Sequence, residues 1–414
     1  MTEIKLSTHD IIICGGGMIG AATALQLASS GIRVALIESA APGKFLASQP
    51  FDLRVSALSP QTVSLLNSIG AWRYVLKKRC CPYHRLRVWE KLGFGDVTFH
   101  AHEINREELG FIVENRIVRI ALWERISETA KIDVYCPASF NKFDYLNNLV
   151  RVTLDDGNQL SAKLLIGADG ANSAVREALQ IKTSRYDYHQ SCLVASVHAP
   201  SATKDITWQR FIKTGPQAFL PISPVDASLV WYHDSEFISD LAEQDNAALA
   251  QKIMHAFPKE LGEIEVLSKG NFPLSKQHAQ SYVGRGVVLI GDAAHTINPL
   301  AGQGVNLGFQ DSACLSEGIK TAMSEGKDYW SEEVLNRYQS QRRVINGIMM
   351  HAMDALYYGF SNDFGPLKFA RNSLLSLVKF PLLSQPILRY ASGLNPISSK
   401  KSVATLPGQK YEQG

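Results

Sequence analysis

The sequence lacks the features that mark a secreted, metal-binding or membrane-spanning protein. Its six cysteines form no C-x-x-C pair and no metal-ligand spacing, which is typical of structural thiols in a reducing compartment. The N-terminus has no charged start and apolar run of the secretory type, and no stretch approaches the ~18 uninterrupted apolar residues of a transmembrane helix. We therefore expect a cytoplasmic protein, with attachment to the surface of the inner membrane left open.

The chain also lacks an excess of either charge. Its 42 Lys and Arg against 39 Asp and Glu give a net charge of +3, so nothing indicates nucleic acid as a partner. A composition of 45% apolar and 20% charged residues is sufficient for a full core. The length of 414 residues predicts two intertwined domains, or one large α/β domain with an insertion.

The first strong motif is a Gly-x-Gly-x-x-Gly at Gly15, Gly17 and Gly20, directly after a short apolar run. A helical segment and a second apolar run follow, and that run ends at Glu38. The glycines would let a pyrophosphate approach the N-terminus of the helix, and an acid roughly 20 residues further on suits a ribose 2′-OH. The pattern predicts a βαβ unit that binds a dinucleotide.

Two later segments share one pattern, in which a buried strand ends in an acid and a glycine. The first is GADGANSAVRE with Asp169, and the second is GDAAHTINPLAGQGVNLG with Asp292. The second continues through a loop with Pro299, Gly302 and Gly304 into a helix. Glycine presents no Cβ to an approaching ligand, so both segments can bring backbone N–H groups and a carboxylate close to a bound molecule.

Two arginines have alternative interpretations. Arg54 lies in a short loop, where it suits a phosphate or flavin contact or an ordinary surface position. Arg119 lies at the polar edge of a predicted helix over 115–129, where it is either a ligand contact or a solvated charge.

Two stretches, 76–104 and 185–274, have a strand-like texture that differs from the rest of the chain. We interpret them as an interleaved β-sheet domain for the substrate, and 1–75, 105–184 and 275–345 as the dinucleotide-binding domain. Residues 346–414 form a C-terminal helical region in this interpretation. The pattern further predicts strands at 192–198, 208–212, 217–220 and 228–233, a hairpin of 149–154 with 161–166, and helices at 235–257 and 338–358.

Aromatic residues and the tail leave two questions open. Phe211, Phe219 and Trp231 lie on the predicted strands, where they either face an apolar ligand or pack in the core. The tail after about residue 359 is amphipathic and basic, with Lys368, Arg371, Lys379 and Arg389 among its leucines. Such a segment suits contact with anionic lipid, or packs over the main domain with its charges in water.

The three glycine-containing segments together resemble the motifs of the flavin-dependent aromatic hydroxylases that share the fold of 4-hydroxybenzoate hydroxylase. They occur in the same order and span most of the chain. Shorter stretches narrow the likeness to the hydroxylases of ubiquinone biosynthesis, namely SQPFDLRVSALS, GFIVENRIV, TWQRF, GPQAFLPI, SLVWY and GFSND. The implied fold is α/β: a Rossmann-like FAD-binding domain with an interleaved antiparallel β-sheet substrate domain and a C-terminal helical segment.

The resemblance assigns cofactor-binding roles to eleven residues: Gly15, Gly17, Gly20, Glu38, Arg54, Arg119, Asp169, Asp292, Gly302, Gly304 and Asn306. It implies that the first three glycines hold the FAD pyrophosphate and that Glu38 binds the adenosine ribose. Asp169 would lie near the pyrophosphate and also serve NAD(P)H, and Asp292 would bind the flavin ribitol. The loop from Pro299 to Gly304 would lie against the isoalloxazine ring.

The implied reaction is hydroxylation of the ring of a polyprenylated benzoquinol or phenol. NAD(P)H would reduce FAD, and the reduced flavin would take up O2 to form a C4a-hydroperoxide. The absence of a second Gly-x-Gly-x-x-Gly agrees with this family, which has no separate nicotinamide domain. His295 is the one candidate for a general base, but a structural histidine is favoured and no base is assigned.

Three other functions stay open at this point. They are a different ring hydroxylase of the same pathway, a flavin reductase or dehydrogenase that does not activate oxygen, and a non-catalytic prenyl-binding protein of the same fold. The last would be expected to lose the Asp-Gly and Gly-Asp motifs, and both are intact. Other ubiquinone-biosynthesis proteins and the membrane surface remain open as partners.

Overall fold

The computed structural model describes residues 6–298, 304–360, 365–377 and 385. Its helices are α1 (Met18–Ala28), α2 (Pro60–Ser68), α3 (Trp72–Leu76), α4 (Asn115–Ser127), α5 (Ala174–Ala178), α6 (Ser235–Glu243), α7 (Asn246–Ala256), α8 (Gly304–Ser324), α9 (Glu332–Phe360) and α10 (Gly365–Leu377). Its strands are β1 (Leu6–Thr8), β2 (Ile11–Cys14), β3 (Val34–Ile37), β4 (Val55–Leu58), β5 (Cys81–Tyr83), β6 (Arg85–Glu90), β7 (Asp96–His100), β8 (Gly110–Glu114), β9 (Ile132–Tyr135), β10 (Phe140–Leu146), β11 (Leu149–Leu154), β12 (Gln159–Ala162), β13 (Leu164–Gly167), β14 (Thr183–His198), β15 (Ile206–Ile212), β16 (Gly215–Pro221), β17 (Asp226–Asp234), β18 (Glu265–Ala279), β19 (Val283–Gly284), β20 (Val287–Leu289) and β21 (His295–Thr296).

A six-stranded sheet in the order β19-β20-β13-β2-β3-β9 forms the centre of the first core. All neighbours except β19 and β20 pair in parallel. The strands β2, β3, β13 and β20 are buried along their whole length, which explains why each reads as a continuous apolar run rather than an alternating one. Helices α1 and α8 pack together against this sheet, where the hydroxyl groups of Thr23 and Ser312 lie 2.7 Å apart.

An eight-stranded sheet in the order β21-β18-β14-β17-β16-β15-β6-β7 forms the second layer. Its strands lie largely within the two stretches that the sequence singles out as strand-like, except that β18 runs on to Ala279 and β21 comes from the segment assigned to the dinucleotide-binding domain. One face, the helix-covered face, packs against α6 and α7. The opposite face, the cleft face, packs against the loop that contains Leu53 and against the C-terminal part of α9. Smaller sheets, β1-β12-β11-β10 and β4-β8-β5, complete the described part of the chain.

Most predicted elements are present, and three differ in an informative way. The predicted strand 161–166 is two strands, β12 and β13, which diverge into different sheets at the exposed Lys163. The predicted helix 235–257 breaks between α6 and α7, because the Asp245 side chain accepts a 2.8 Å hydrogen bond from Ala248 N and starts a new helix. Strand β18 has no counterpart in the sequence prediction, since Gly270 and Pro273 interrupt its pattern.

The described helices include none that combines the length and the apolar character needed to cross a bilayer. Part of the tail, including Lys379 and Arg389, lies outside the described residues.

Candidate active site

The glycine fingerprint forms a tight turn between β2 and α1. Gly15 has φ +102°, and a Cβ there would lie 2.3 Å from the carbonyl oxygen of Ala168. A Cβ on Gly20 would lie 1.9 Å from the Gly15 oxygen. A Cβ on Gly17 would meet nothing within 4 Å, so this glycine faces open space at the start of α1. Two glycines therefore serve packing, and the third leaves room for a ligand at the helix N-terminus.

Glu38 is bound directly to that turn. Its carboxylate accepts hydrogen bonds from the backbone N–H of Gly16 (2.6 Å) and of Ala40 (3.2 Å). Trp123 Nε1 donates to the Gly16 carbonyl oxygen (2.8 Å), and Arg119 Nη2 lies 3.5 Å from the Glu38 carboxylate. The acid after the second strand is thus held in one fixed orientation beside the glycine loop.

Sheet order brings the predicted residues together. The adjacent parallel strands β20, β13, β2 and β3 end at the same edge, and their carboxyl ends lead to Asp292, Asp169, the glycine turn and Glu38 in turn. Ligands of open parallel sheets bind at this edge, outside the carboxyl ends of the strands. One sheet edge therefore joins segments that lie about a hundred or more residues apart in the sequence.

A cleft of about 760 Å³ opens along this edge. Six of the predicted cofactor-binding residues line it: Gly15, Gly17, Glu38, Arg54, Arg119 and Asp169. Asp52, Asn115 and Arg116 line it as well, but the sequence analysis did not assign them to the site. Asn115 and Arg116 come directly after an apolar segment that ends at Glu114, and this position was a signal that could have found them. Arg54, Arg116 and Arg119 give the cleft three guanidinium groups. Such a cleft, with an open glycine turn, cations and a fixed acid, fits the phosphates and ribose of FAD.

A buried acid joins the loop that carries Arg54 to the start of α4, which carries Arg116. Glu114 is 2% exposed and accepts hydrogen bonds from Asp52 N (2.7 Å) and Arg116 Nη2 (2.8 Å). Arg79 pairs with the same carboxylate at 3.0 Å. Asp52 in turn accepts from Arg54 N (3.1 Å), so the positions of Arg54 and Arg116 depend on one another.

Asp292 lies in a tight turn three residues after β20 and is exposed, but it is not among the residues that line the cleft. Desolvation by the surrounding protein raises the pKa of its carboxyl group, while the charges of His295 and Arg54 act in the opposite direction. Arg54 also lies over the ring of Phe272 on the cleft face, 5.3 Å from its centroid. Arg54 therefore marks the place where the cleft meets the eight-stranded sheet.

Comparison with known proteins identifies the kind of site. The model of the FAD binding domain family matches residues 8–352. The chain is 43% identical over 386 residues to the 3-demethoxyubiquinol 3-hydroxylase of Escherichia coli (strain K12), covering 93% of this chain and 98% of that protein. The chain belongs to the FAD-dependent monooxygenases.

Other members show how far the likeness of this monooxygenase extends. It is 33% identical over 438 residues to the mitochondrial ubiquinone biosynthesis monooxygenase COQ6 of Mus musculus, with 93% of this chain and 91% of that protein covered. The crystal structure of p-nitrophenol 4-monooxygenase PnpA from Pseudomonas putida matches with a TM-score of 0.77 at 18% identity, over 94% of this chain and 99% of that chain. The family predicted from the three motifs is confirmed, and so is the fold.

Asp169 is held by its own loop in this monooxygenase. Its carboxylate accepts hydrogen bonds from Ser173 Oγ (2.6 Å) and Val175 N (3.1 Å). Ser173 also caps α5 by accepting from Arg176 N (3.0 Å). The acid thus shapes the GADGANSAVR segment, and Gly170, with nothing within 4 Å of a Cβ, presents the open side of that segment to the cleft.

His295 belongs to a buried ionic cluster behind Asp292. It is 2% exposed, and its Nε2 lies 2.5 Å from Asp311 Oδ2. Asp311 also accepts from Arg342 Nε (2.7 Å), Asn346 Nδ2 (3.1 Å) and the backbone N–H of Gly291 (3.1 Å). Burial acts to raise the pKa of Asp311, but His295 and Arg342 outweigh it and lower that pKa to about 2. This bonding supports the structural role over the general-base role for His295.

Asn306 and Gly304 are not among the residues that line the cleft. Asn306 is buried. Its side-chain oxygen accepts hydrogen bonds from Ser59 N (3.0 Å) and Thr62 Oγ1 (2.8 Å), and its Nδ2 donates to the Ala57 carbonyl oxygen (2.8 Å). These bonds connect the start of α8 to β4 and α2. Gly304 is the first residue of α8. Pro299 and Gly302 lie outside the described residues.

The predicted substrate aromatics divide between the two faces of the eight-stranded sheet. Phe219 and Trp231 lie in the core of the helix-covered face, which supports core packing, the second of the two alternatives, for both residues. Phe211 lies on the opposite, cleft face, where its ring stacks on Phe360 with centroids 4.1 Å apart. Tyr232 shares that face, and its hydroxyl donates to Asn298 Oδ1 (3.2 Å), next to the loop predicted to contact the flavin.

Proposed function

We propose that this monooxygenase hydroxylates the ring of a polyprenylated benzoquinol in ubiquinone biosynthesis, using NAD(P)H and O2. The observation that carries the proposal is the meeting of the FAD cleft with the apolar cleft face of the sheet at Arg54. The near full-length similarity to the Escherichia coli hydroxylase supports the choice of pathway. The sequence motifs resemble those of the hydroxylase of 2-polyprenyl-3-methyl-6-methoxy-1,4-benzoquinol, and we propose a substrate of that type.

The residues of the sheet edge divide the work of binding FAD. We assign the pyrophosphate to the turn of Gly15 and Gly17 with the arginines of the cleft, and the adenosine ribose to Glu38. Asp292, one strand beyond Asp169, accepts hydrogen bonds from the ribitol. FAD, when bound, supplies the redox chemistry of hydride acceptance and oxygen activation.

The protein then has to place the ring and keep water away from it. Cys192, Val194, Leu274 and Tyr232 belong to a buried apolar cluster on the cleft face, and we propose that the aromatic ring binds beside this cluster, near Arg54 and Phe272. A benzoquinol is already activated by its own oxygens, so a dedicated acid-base pair is not required. The buried cluster of Asp311 and Arg342 holds the Gly291 turn and thereby the Asp292 side chain.

Analysis of metabolites in a strain that lacks this protein tests the proposal and names the substrate. We expect a prenylated quinone to accumulate in which one ring position carries neither a hydroxyl nor a methoxy group. Reintroduction of the gene should remove this precursor. Normal ubiquinone in the deletion strain, with no accumulated precursor, would contradict the proposal. Accumulation of a different ring intermediate would move the protein to a sister hydroxylation of the same pathway.

A further inference from the structure

Four large apolar side chains are exposed on the β6–β7 turn and on α10, which packs against β7. They are Leu92 (77% exposed), Phe94 (56%), Phe369 (67%) and Leu377 (50%), and we call them the docking face. The rings of Phe94 and Phe369 lie 5.8 Å apart, so the turn and the helix form one surface. Grouped exposure of this kind marks a contact surface more often than scattered single residues do.

A buried polar cluster holds the docking face in place. Glu90 at the end of β6 is 7% exposed and accepts a 3.1 Å hydrogen bond from Arg371 Nε of α10, which is itself 8% exposed. Asn372 is fully buried and accepts a 2.7 Å hydrogen bond from Gly95 N. A Cβ on Gly93 would lie 2.0 Å from the Asn372 side-chain oxygen. The turn and helix are therefore fitted to each other, and the exposed rings are presented by a fixed framework.

Two lysines adjoin the apolar side chains of the docking face, while the nearby acids Asp96 and Glu90 are paired with Arg87 and Arg371. Exposed Lys91 adjoins Leu92, and Lys368 adjoins Phe369. From residue 364 to the end, the sequence has a single acid, Glu412, against seven bases: Lys368, Arg371, Lys379, Arg389, Lys400, Lys401 and Lys410. Exposed aromatic and leucine side chains beside lysines are the chemistry of a surface that inserts into the boundary of an anionic bilayer.

The docking face is close to the proposed substrate surface. Arg371 Nη1 donates to the Gly359 carbonyl oxygen (2.7 Å), and its guanidinium lies over the Phe360 ring at 5.5 Å. Phe360 stacks directly on Phe211 of the cleft face. One aromatic layer therefore separates the residues that anchor the docking face from the sheet surface beside the cleft.

We propose that the docking face seats this enzyme on an anionic lipid bilayer, with the cleft face next to the membrane surface. The proposal rests on the proposed function in one respect: a prenylated ring is carried by the bilayer and has to reach the cleft face from it. The apolar rings supply insertion, and the lysines supply attraction to anionic headgroups.

Co-sedimentation of the full-length, FAD-loaded protein with vesicles tests docking without any substrate. We expect the protein to sediment with vesicles of mixed phosphatidylglycerol and phosphatidylcholine, and to do so less with phosphatidylcholine alone or at high salt. The double variant Phe94→Ser/Phe369→Ser should lower the vesicle partition coefficient by about tenfold or more, because two inserted rings are lost. The single variant Leu92→Ser, at the most exposed position, should lower it in the same direction.

A matched control replaces two apolar residues of similar exposure elsewhere, Leu46 (62%) and Leu267 (44%), by serine. This control should sediment like the unchanged protein, and equal FAD content and melting temperature would show that all variants are folded. Equal sedimentation of the Phe94/Phe369 variant and the control would overturn the proposal, as would failure of the unchanged protein to bind anionic vesicles. A change of the double variant from dimer to monomer with vesicle binding intact would assign the face to self-association instead.

Activity separates this proposal from the proposed function. The double variant should keep the activity of the unchanged protein on a short-chain, water-soluble quinol and lose activity on a long-chain quinol in vesicles. Absence of activity on both substrates in the unchanged protein would refute the hydroxylase function while the sedimentation result stood. Equal loss on both substrates in the double variant would contradict docking as the role of these residues.

Discussion

The carboxylate of Glu38 accepts a 2.6 Å hydrogen bond from the backbone N–H of Gly16. This bond joins the end of the second parallel strand to the glycine turn after the first, so the two parts of the dinucleotide motif form one unit. An adenosine ribose bound by Glu38 therefore has a fixed position relative to the pyrophosphate site.

Glu38→Ala should weaken FAD binding. The substitution removes a charged acceptor, which is worth about 1.5–3 kcal/mol, and so raises the Kd for FAD by roughly ten- to a hundredfold. Titration of the FAD-free protein by flavin fluorescence measures the effect. Glu325→Ala, at an exposed carboxylate that pairs with Lys327, is the control and should leave the Kd unchanged. An unchanged Kd for Glu38→Ala would remove Glu38 from the site.

Two glycines of the same motif should respond differently to alanine. At Gly20 the added methyl group would lie 1.9 Å from the Gly15 oxygen, so Gly20→Ala should misfold or melt far below the unchanged protein. At Gly17 it meets no protein atom within 4 Å, so Gly17→Ala should fold normally and lose FAD. Circular dichroism and flavin content distinguish the two results. Full FAD content in Gly17→Ala would place the pyrophosphate elsewhere.

Asp292→Asn should weaken FAD binding and stabilise the FAD-free protein at neutral pH. Desolvation raises the pKa of this carboxyl group, so the folded protein holds the proton more tightly than the unfolded chain does. The stability contributed by that proton is present below about pH 4 and is lost as the pH rises through the folded pKa, which leaves a penalty at pH 7.

Thermal melting of the FAD-free protein and FAD titration check both effects of Asp292→Asn. Asp156→Asn, in an exposed turn, should alter neither quantity. Loss of stability in Asp292→Asn at pH 7, or undiminished FAD affinity, would contradict the role assigned to Asp292.

Asp311→Asn should destabilise the fold by about 3–5 kcal/mol at pH 7, because it leaves the buried Arg342 without its charged partner. His295 and Arg342 lower the pKa of Asp311 to about 2 against the opposing effect of burial. The stability from this group is present above its unfolded pKa of about 3.9 and is lost as the pH falls towards 2.

Denaturant unfolding between pH 7 and pH 2.5 tests this relation. The unchanged protein should lose stability more steeply than Asp311→Asn over the acid part of the range. Parallel pH profiles would show that Asp311 is not the responsible group. Glu325→Gln, which breaks an exposed pair, should change little at any pH.

Phe219→Ala should lower the free energy of unfolding by about 3–5 kcal/mol, because its ring fills the core under α6 and α7. The turnover per FAD-loaded, folded molecule should stay the same, since this face points away from the cleft. Denaturation combined with steady-state kinetics separates stability from activity. A raised KM with normal stability would return Phe219 to the substrate site.

The sequence predicts the FAD half of the site because its signals are local. Glycine spacing, an acid at the end of each strand and a following helix specify Gly17, Asp169 and Asp292 without knowledge of the fold. Their convergence follows once β20, β13 and β2 are neighbours in one parallel sheet. Arg116 was harder to recognise, since its role depends on Glu114 and Asp52, which are joined only by folding.

The substrate half could not be predicted to the same depth. Strands β15, which contains Phe211, and β16, which contains Phe219, are buried on both faces, so no alternation of exposed and buried residues shows which face is covered by helices. Phe219 and Phe211 therefore look equivalent in sequence, and only the packing of α6 and α7 separates them. Strand β18 was missed because Gly270 and Pro273 weaken the local signal, while its long pairing with β14 stabilises it.

Hydroxylation with isotopically heavy O2 tests the central claim most directly. The FAD-loaded protein, NAD(P)H and a prenylated benzoquinol lacking the final hydroxyl should give a ring product that carries one heavy oxygen atom for each NAD(P)H consumed. NAD(P)H oxidation that yields only hydrogen peroxide, with no label in the ring, would contradict the account.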